Sequence, residues 1–324
     1  MAEKLRHILS PIDFPKAWLE EEFLKEAASM ARLGRQGSNA LRGKNILGWF
    51  FDPSVITVIS FRTAVERLGG RFIEEGSALT TTGVTSEQAL QDAVKNLEDN
   101  SDIDCLVLRY HQTGGVIVAA AVANRIRMIN AGEGRQDLSH QAVPHHPTQF
   151  LADFLTIQHH FPDLNDWKNL RILVAGDLQW DRVNSLVMGL AQFRVRFDFI
   201  SSAVLPLDNR VVSYLRDLGV RFTTDRTLKG LLPQVDIVYL TKQRTFRGGN
   251  HNLTYGVNVE VGPQEIDRMK EGAIVMHPMP RGEELSPETD DYPRIVWREQ
   301  AKNGTIARMA LLRMLLTSST DRCY

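Results

Sequence analysis

Residues 50–70 read FFDPSVITVISFRTAVERLGG, and the order of signals inside them predicts how the chain folds. Phe50 and Phe51 close an apolar run that begins at Asn45, the pattern of a buried strand. Pro53 breaks it, because proline has no N–H to give to a ladder. Ser54 then stands where a helix wants an N-cap, and helical periodicity from Thr57 to Leu68 ends at Gly69-Gly70. Strand, turn and helix in this order form the unit of a parallel sheet. Free amides at the helix start, with the Ser54 and Thr57 hydroxyls, form a modest anion site. Read locally, Ser54 is first of all the cap of a buried helix. Val55, Ile56, Val58 and Ile59 make the first turn apolar, which predicts a packed or covered surface there.

The same alternation continues outward. Apolar runs predict strands at 45–51, 105–110, 127–130, 171–176, 197–201, 235–241 and 273–277. Helical periods fall at 57–68, 87–97, 183–193, 209–218 and 265–270, with a last apolar-faced helix over Gly304–Leu316. Continuous apolar strands separated by helices predict an α/β fold of doubly wound parallel sheets, covered on both faces. Gly132–Pro147, rich in Gly, His and Pro, is the least regular stretch and reads as a crossover or active-site loop.

With 324 residues and 43% apolar content, two domains are expected. The 38 basic and 39 acidic residues leave a net charge of −1. That excludes the clustered positive excess a nucleic-acid binder needs. Cys105 and Cys323 make no disulfide framework, so a reducing cytoplasm is expected. The start, MAEKLRHILSPIDFP, has no signal-type apolar core, and no run reaches membrane length. The histidines are too scattered for a zinc site, and no glycine-rich dinucleotide fingerprint follows a strand; Ala175-Gly176-Asp177 is too short. No metal and no cofactor are expected.

Further motifs follow in order: Leu106-Val107-Leu108-Arg109-Tyr110-His111, His146-Pro147-Thr148-Gln149, Val174-Ala175-Gly176-Asp177-Leu178 with Arg182 beyond it, Met276-His277-Pro278-Met279-Pro280-Arg281, and Asn303–Leu312. In order and spacing, from about residue 7 to 316, they resemble the aspartate/ornithine transcarbamoylase family. The loop His277-Pro278-Met279-Pro280, and the lack of a Ser-Met-Gly loop, are similar to the aspartate branch.

That resemblance implies two α/β domains, with an active-site cleft between them and a C-terminal helix returning to the first. The donor-type domain would span 1–147 plus 300–324, and the acceptor-type domain 148–299. Thr57, Arg109, His146 and Gln149 would surround and polarise a carbamoyl carbonyl. Ser54, Thr57, Arg109, Met279 and Pro280 would hold the donor, carbamoyl phosphate. Arg182, Lys242 and Arg244 would hold an acidic amino acid such as aspartate, although Lys242 and Arg244 read equally well as solvated loop residues. A homotrimer, active sites shared between subunits and a place in pyrimidine biosynthesis are implied in the same way.

The departures sit at the donor. The family turn Ser-Thr-Arg-Thr is here Ser54-Val55-Ile56-Thr57, so Ile56 replaces the arginine that grips the phosphate. A lysine lent by a neighbouring subunit falls on Thr85, and no Lys or Arg lies between Arg71 and Lys95. Each such preorganised contact is worth ~3–4 kcal/mol, so two losses, if additive, cost on the order of 10⁴–10⁶ in rate. Arg62 is off the face of Ile56. An insertion bearing Arg135, His140 and His145 would cover the altered site or supply a cation, and covering is the favoured reading. Two functions stay open: a carbamoyltransferase with a weak or altered donor, and an inactive paralogue that assembles with or regulates another family chain.

Overall fold

The apolar runs of the first half lie side by side as parallel strands. They are β1 (Asn45–Phe50), β2 (Arg71–Gly76), β3 (Cys105–Thr113) and β4 (Arg127–Asp137), in the order β2-β1-β3-β4. The structure is a computed structural model; it describes residues 5–76, 83–137, 142–202, 206–224, 227–243, 245–248, 251–254 and 259–317. In the second half the strands are β5 (Arg171–Ala175), β6 (Arg196–Ile200), β7 (Phe222–Thr223), β8 (Ile237–Leu240), an antiparallel pair β9 (Thr245–Gly248) and β10 (His251–Thr254), and β11 (Ile274–Met276). All but the pair form a second parallel sheet, ordered β11-β8-β5-β6-β7. The chain divides into two units, Met1–Ala152 with Asn303–Tyr324, and Asp153–Lys302.

Each sheet has its own core. In the first unit Leu47, Trp49, Leu106, Leu108, Leu90 and Val116 are buried together; in the second, Leu173, Ala175, Val238, Leu240, Leu231 and Val275 are. The C-terminal helix Trp297–Leu316 packs on the first unit from Asn303 onward. There Arg313 Nη1 donates to Glu26 Oε1 at 3.0 Å, and the Arg308 guanidinium lies 5.0 Å from the Phe61 ring.

β2, β7, β9 and β10 have no counterpart in the sequence expectation, and β3 and β4 run beyond their expected ends. β2 carries no long apolar run because it is an edge strand: only Phe72 and Ile73 are apolar, between Arg71 and the Glu74-Glu75 pair. β4 does not stop at Asn130 but continues to Asp137, so 132–147 is not uniformly irregular. Glycine makes that continuation possible. Gly132 sits at φ +112°, and a Cβ on Gly134 would lie 1.7 Å from the His111 carbonyl oxygen. A glycine stretch that reads as a loop is here a strand pressed against its neighbour, with register shifts on either side of Tyr110.

Among the described residues no helix is long and apolar enough to cross a membrane. The start of the second sheet is tied by Arg171, whose Nε and Nη2 donate to the two oxygens of the wholly buried Asp198 at 2.5 and 3.0 Å. Thr223 Oγ1 donates to Asp198 at 2.6 Å, so β5, β6 and β7 share one carboxylate. Burial pushes the Asp198 carboxyl up, but these partners outweigh it and hold it below the usual range. Asp198→Ala removes the carboxylate that holds Arg171 Nε and Nη2, leaves the buried cation its Nη1 bond to Gln234, and should lower the unfolding free energy in urea by about 3–5 kcal/mol. Glu74→Ala, which removes the exposed pair with Arg62, should cost about 1 kcal/mol or less. Equal effects would contradict this ranking.

Candidate active site

In a doubly wound sheet, function gathers at the carboxyl ends of the strands flanking the point where strand order reverses. In the first unit that point lies between β1 and β3; in the second, between β5 and β8.

Beyond β1, the Phe51 N–H donates to the Arg109 carbonyl at 2.9 Å, so the 51–57 turn leaves the sheet beside Arg109. Ser54 occupies the N-cap of the helix Val55–Arg67, but its hydroxyl makes no cap bond and donates instead to Thr57 Oγ1 at 2.8 Å. Thr57, Val58, Phe61, Ala64 and Val65 face inward. Val55, Ile56 and Ile59 are 70%, 56% and 54% exposed, so the packed first turn expected from sequence holds only for Val58. The helical repeat requires this, since turning Thr57 and Phe61 inward turns 55, 59 and 62 outward. Arg62 is ion-paired to Glu74 and lies 6.0 Å from the Phe72 ring. Thr85 is exposed, next to the Ser86 cap of the helix Glu87–Asn100.

Arg109 lies within β3, which runs on to Thr113 instead of ending there, and its Nη1 donates to the Ala131 carbonyl at 3.1 Å. Two positions further along β4 is the buried Glu133, which the sequence reading did not select. It accepts the N–H groups of Gly114 at 3.0 Å, Val116 at 3.4 Å and His145 at 3.2 Å. Burial pushes its carboxyl up to about 7, against the pull of these donors. The same strand thus anchors the Arg109 guanidinium and the backbone leading into His146. His146 is buried, 3.4 Å from the Thr148 hydroxyl through Nδ1, and its carbonyl accepts the Gln149 N–H at 2.9 Å as the helix Pro147–His160 begins. The side chain of Arg135, and residues Thr81, Thr82, His140, Arg244 and Cys323, lie outside the described residues.

In the second unit, β5 ends at Gly176, where φ is +120° and a Cβ would lie 2.2 Å from the Thr241 carbonyl oxygen. Only glycine allows the turns after β5 and β8 to approach so closely. Arg182 follows on the helix Asp181–Ala191. Its Nη1 donates to the Met279 carbonyl at 2.6 Å, its Nε lies 3.4 Å from Asp181 Oδ1, and its guanidinium stacks 4.8 Å from the Trp180 ring. Trp180 Nε1 donates to the Lys242 carbonyl at 3.3 Å, and the Lys242 side chain is exposed. The Arg182 guanidinium and the Lys242 carbonyl therefore both meet Trp180, and Arg182 joins Met279 to the group. Pro280 follows Met279, which sits at φ +52°.

Beneath this group is a buried polar chain. Met279 N–H donates to His277 Nδ1 at 2.9 Å, which places the ring proton on Nε2, 2.9 Å from Glu284 Oε1. His277 N–H donates to Gln300 Oε1, Gln300 Nε2 to Asp153 Oδ1, and Tyr239 OH to Asp153 Oδ2, at 2.9, 2.7 and 2.9 Å. Burial, with Asp153 close by, raises the Tyr239 phenol well above its ordinary value, so it remains a donor. Glu284 and Trp180 were not selected from sequence; the usable signal was a carboxylate pair just after the 276–281 motif and an aromatic two residues before Arg182. Among the described residues no group of three or more His, Cys, Asp or Glu is arranged to hold a metal ion.

Burial lowers the His277 pKa below its ordinary 6.5, although Glu284 pulls it back up. Burial raises Glu284, but the His277 and Gly282 hydrogen bonds outweigh it and leave the carboxyl below 4.5. The signs agree. An unfolded chain takes up protons at both groups before the folded one does, so stability is complete above pH 6.5 and falls as the pH drops through it. His277→Gln should be less stable at pH 7.5, with a shallower loss between pH 7.5 and 5.5, measured by urea unfolding. An unchanged slope would place the titration elsewhere.

Residues 6–159 match the carbamoyl-P binding domain of aspartate/ornithine carbamoyltransferase, and residues 168–315 match the Asp/Orn binding domain. The aspartate carbamoyltransferase catalytic subunit of Thermococcus onnurineus is 35% identical over 98% of both chains, and that of Thermococcus kodakarensis 36% over 97% of both. The crystal structure of aspartate transcarbamoylase from Trypanosoma cruzi in complex with carbamoyl phosphate is 26% identical, with a TM-score of 0.80 over 98% of this chain and 99% of that one. The same enzyme with aspartate and phosphate gives a TM-score of 0.82, at 26% identity over 96% and 97%. The chain belongs to the aspartate/ornithine carbamoyltransferase family.

Proposed function

We propose that the protein transfers a carbamoyl group to the amine of an acidic amino acid such as aspartate, from a donor whose leaving group is held with less positive charge than in its relatives. The observation that carries this reading is the pairing of an intact carbonyl-handling set with an uncharged turn. Arg109, His146 and Gln149 are organised around β4, while the turn presents Val55 and Ile56 to solvent. Arg109, His146 and Thr57 draw electron density from the carbamoyl oxygen, and Gln149 binds the carbamoyl amide. The amine then attacks the carbonyl carbon, the bond to the leaving oxygen breaks, and the amine loses a proton. Donors fixed in advance around that oxygen stabilise the charge that develops on it. Arg182 and Lys242, with Arg244, hold the acceptor carboxylates, and Met279 and Pro280 border the donor. A homotrimer, a cytoplasmic setting and a place in pyrimidine biosynthesis belong to the same proposal.

A second reading is a non-catalytic paralogue acting through another family chain. The apolar face of Val55, Ile56 and Ile59 favours it, since three large exposed side chains in one turn suit a covering surface.

Calorimetric titration with carbamoyl phosphate, then with N-(phosphonacetyl)-L-aspartate, separates the two. Micromolar or tighter binding, followed by formation of the carbamoylated amino acid, is expected for the transferase; no heat from either ligand with folded protein overturns it. Ile56→Arg combined with Thr85→Lys should tighten the phosphonate at least tenfold, because each charge-assisted contact is worth on the order of 1.5–3 kcal/mol. Unchanged affinity would show that missing charge is not what limits the donor site.

A further inference from the structure

Glu284 has no part in the chemistry above, yet its buried carboxylate joins segments far apart in sequence. Oε1 accepts from His277 Nε2 at 2.9 Å and from the Gly282 N–H at 2.5 Å, and Oε2 accepts the Gln243 N–H at 3.4 Å. Each bond leads toward a cation. His277 Nδ1 accepts the Met279 N–H, and the Met279 carbonyl accepts Arg182 Nη1. Gln243 directly follows Lys242, and its Nε2 donates to the Val259 carbonyl at 2.9 Å, which anchors that segment on its other side. The imidazole has little freedom to swing, because the His277 N–H is fixed by Gln300 and the Met279 backbone is held at φ +52° against the ring.

We propose that Glu284 is a positioning residue: acting through His277–Met279 on one side and Gln243 on the other, it sets the placement of Arg182 and Lys242 and so favours acceptors bearing two carboxylates. This rests on the acceptor reading above for Arg182 and Lys242. The physical argument is one of acceptor supply. A carboxylate can receive all three donors at once, because each oxygen has lone pairs free. An amide in its place has one accepting atom and one donating group, so either His277 or Gln243 meets a donor and turns away. Charge-assisted bonds buried this deeply hold their partners more firmly than neutral ones.

The test uses the full chain labelled with 5-fluorotryptophan. The Trp180 fluorine resonance, assigned by its loss in Trp180→Phe, reports the ring stacked on Arg182 without any need for activity. Succinate binding, measured by calorimetry, reports the pair of cations. Glu284→Gln should shift the Trp180 resonance and weaken succinate about tenfold or more, the size expected for a lost charge-assisted hydrogen bond. Glu284→Asp, which keeps the charge on a shorter arm, should recover part of both. In turnover, KM for the acceptor should rise with kcat nearly unchanged. A folded Glu284→Gln protein with an unmoved Trp180 resonance and wild-type succinate affinity overturns the positioning role. Failure of the wild-type protein to bind succinate overturns the acceptor reading instead. If Glu284→Gln does not fold, Glu284→Asp carries the same comparison, and unaltered values in it overturn the proposal.

Discussion

Parallel strands covered on both faces admit few polar side chains along their length, and those only with partners. The central strands here obey that constraint: β5 and β8 are buried at every position, and β1 at all but its first. Polar chemistry is therefore pushed to where the strands stop. In each sheet a gap opens where strand order reverses, between β1 and β3 and between β5 and β8. Ser54, Thr57 and Arg109 belong to the first reversal, and Arg182 and Lys242 to the second. Their grouping follows from winding order before any detail of side-chain contact.

The two reversals are furnished differently. In the second unit an unbroken run of hydrogen bonds links Tyr239, Asp153, Gln300, His277 and Glu284, and reaches Arg182 through Met279. Buried polar groups are costly unless partnered, and a chain whose members are partnered makes its geometry stiff. In the first unit the stiff element is Glu133, which ties Gly114, Val116 and His145 into the approach to His146. Beside it the 54–57 turn carries no charge, and its apolar face is open to solvent. The hydrogen bonds around Glu133 and around His277 are thus organised in advance, while the 54–57 turn carries neither a charge nor a covered apolar face. That contrast is the reason for proposing a retained reaction with a weaker or altered donor.

Legibility followed how local each signal was. The β1–turn–helix unit was readable because apolar runs, Pro53 and helical periodicity all act within a few residues. β2 was missed because its apolar part is only Phe72 and Ile73, set between Arg71 and Glu74-Glu75, too short a run to stand out. The extension of β4 was missed because Gly132 and Gly134 read as loop residues when seen alone; only the nearness of the His111 carbonyl explains them. Glu133 is a lone carboxylate among glycines and polar residues and Glu284 the second of a pair beside the 276–281 motif, and neither stretch shows that its carboxylate is buried. Their burial is a property of what packs around them.

By itself, the sequence determined the alternation of strand and helix, the order of the motifs and hence the family, and the uncharged side chains at positions 56 and 85, because these depend on residue identity and near neighbours along the chain. Only the tertiary structure decided which face of the 55–67 helix is exposed, that β3 runs on past Arg109 to Thr113 with the guanidinium held by Ala131, and that His277 is neutral with its proton on Nε2. Those outcomes depend on burial and on partners such as Glu74, Ala131 and Glu284, which come near only once the sheets have formed. Hydrogen bonding and desolvation act over a few ångströms of space, and separation along the chain says little about that distance.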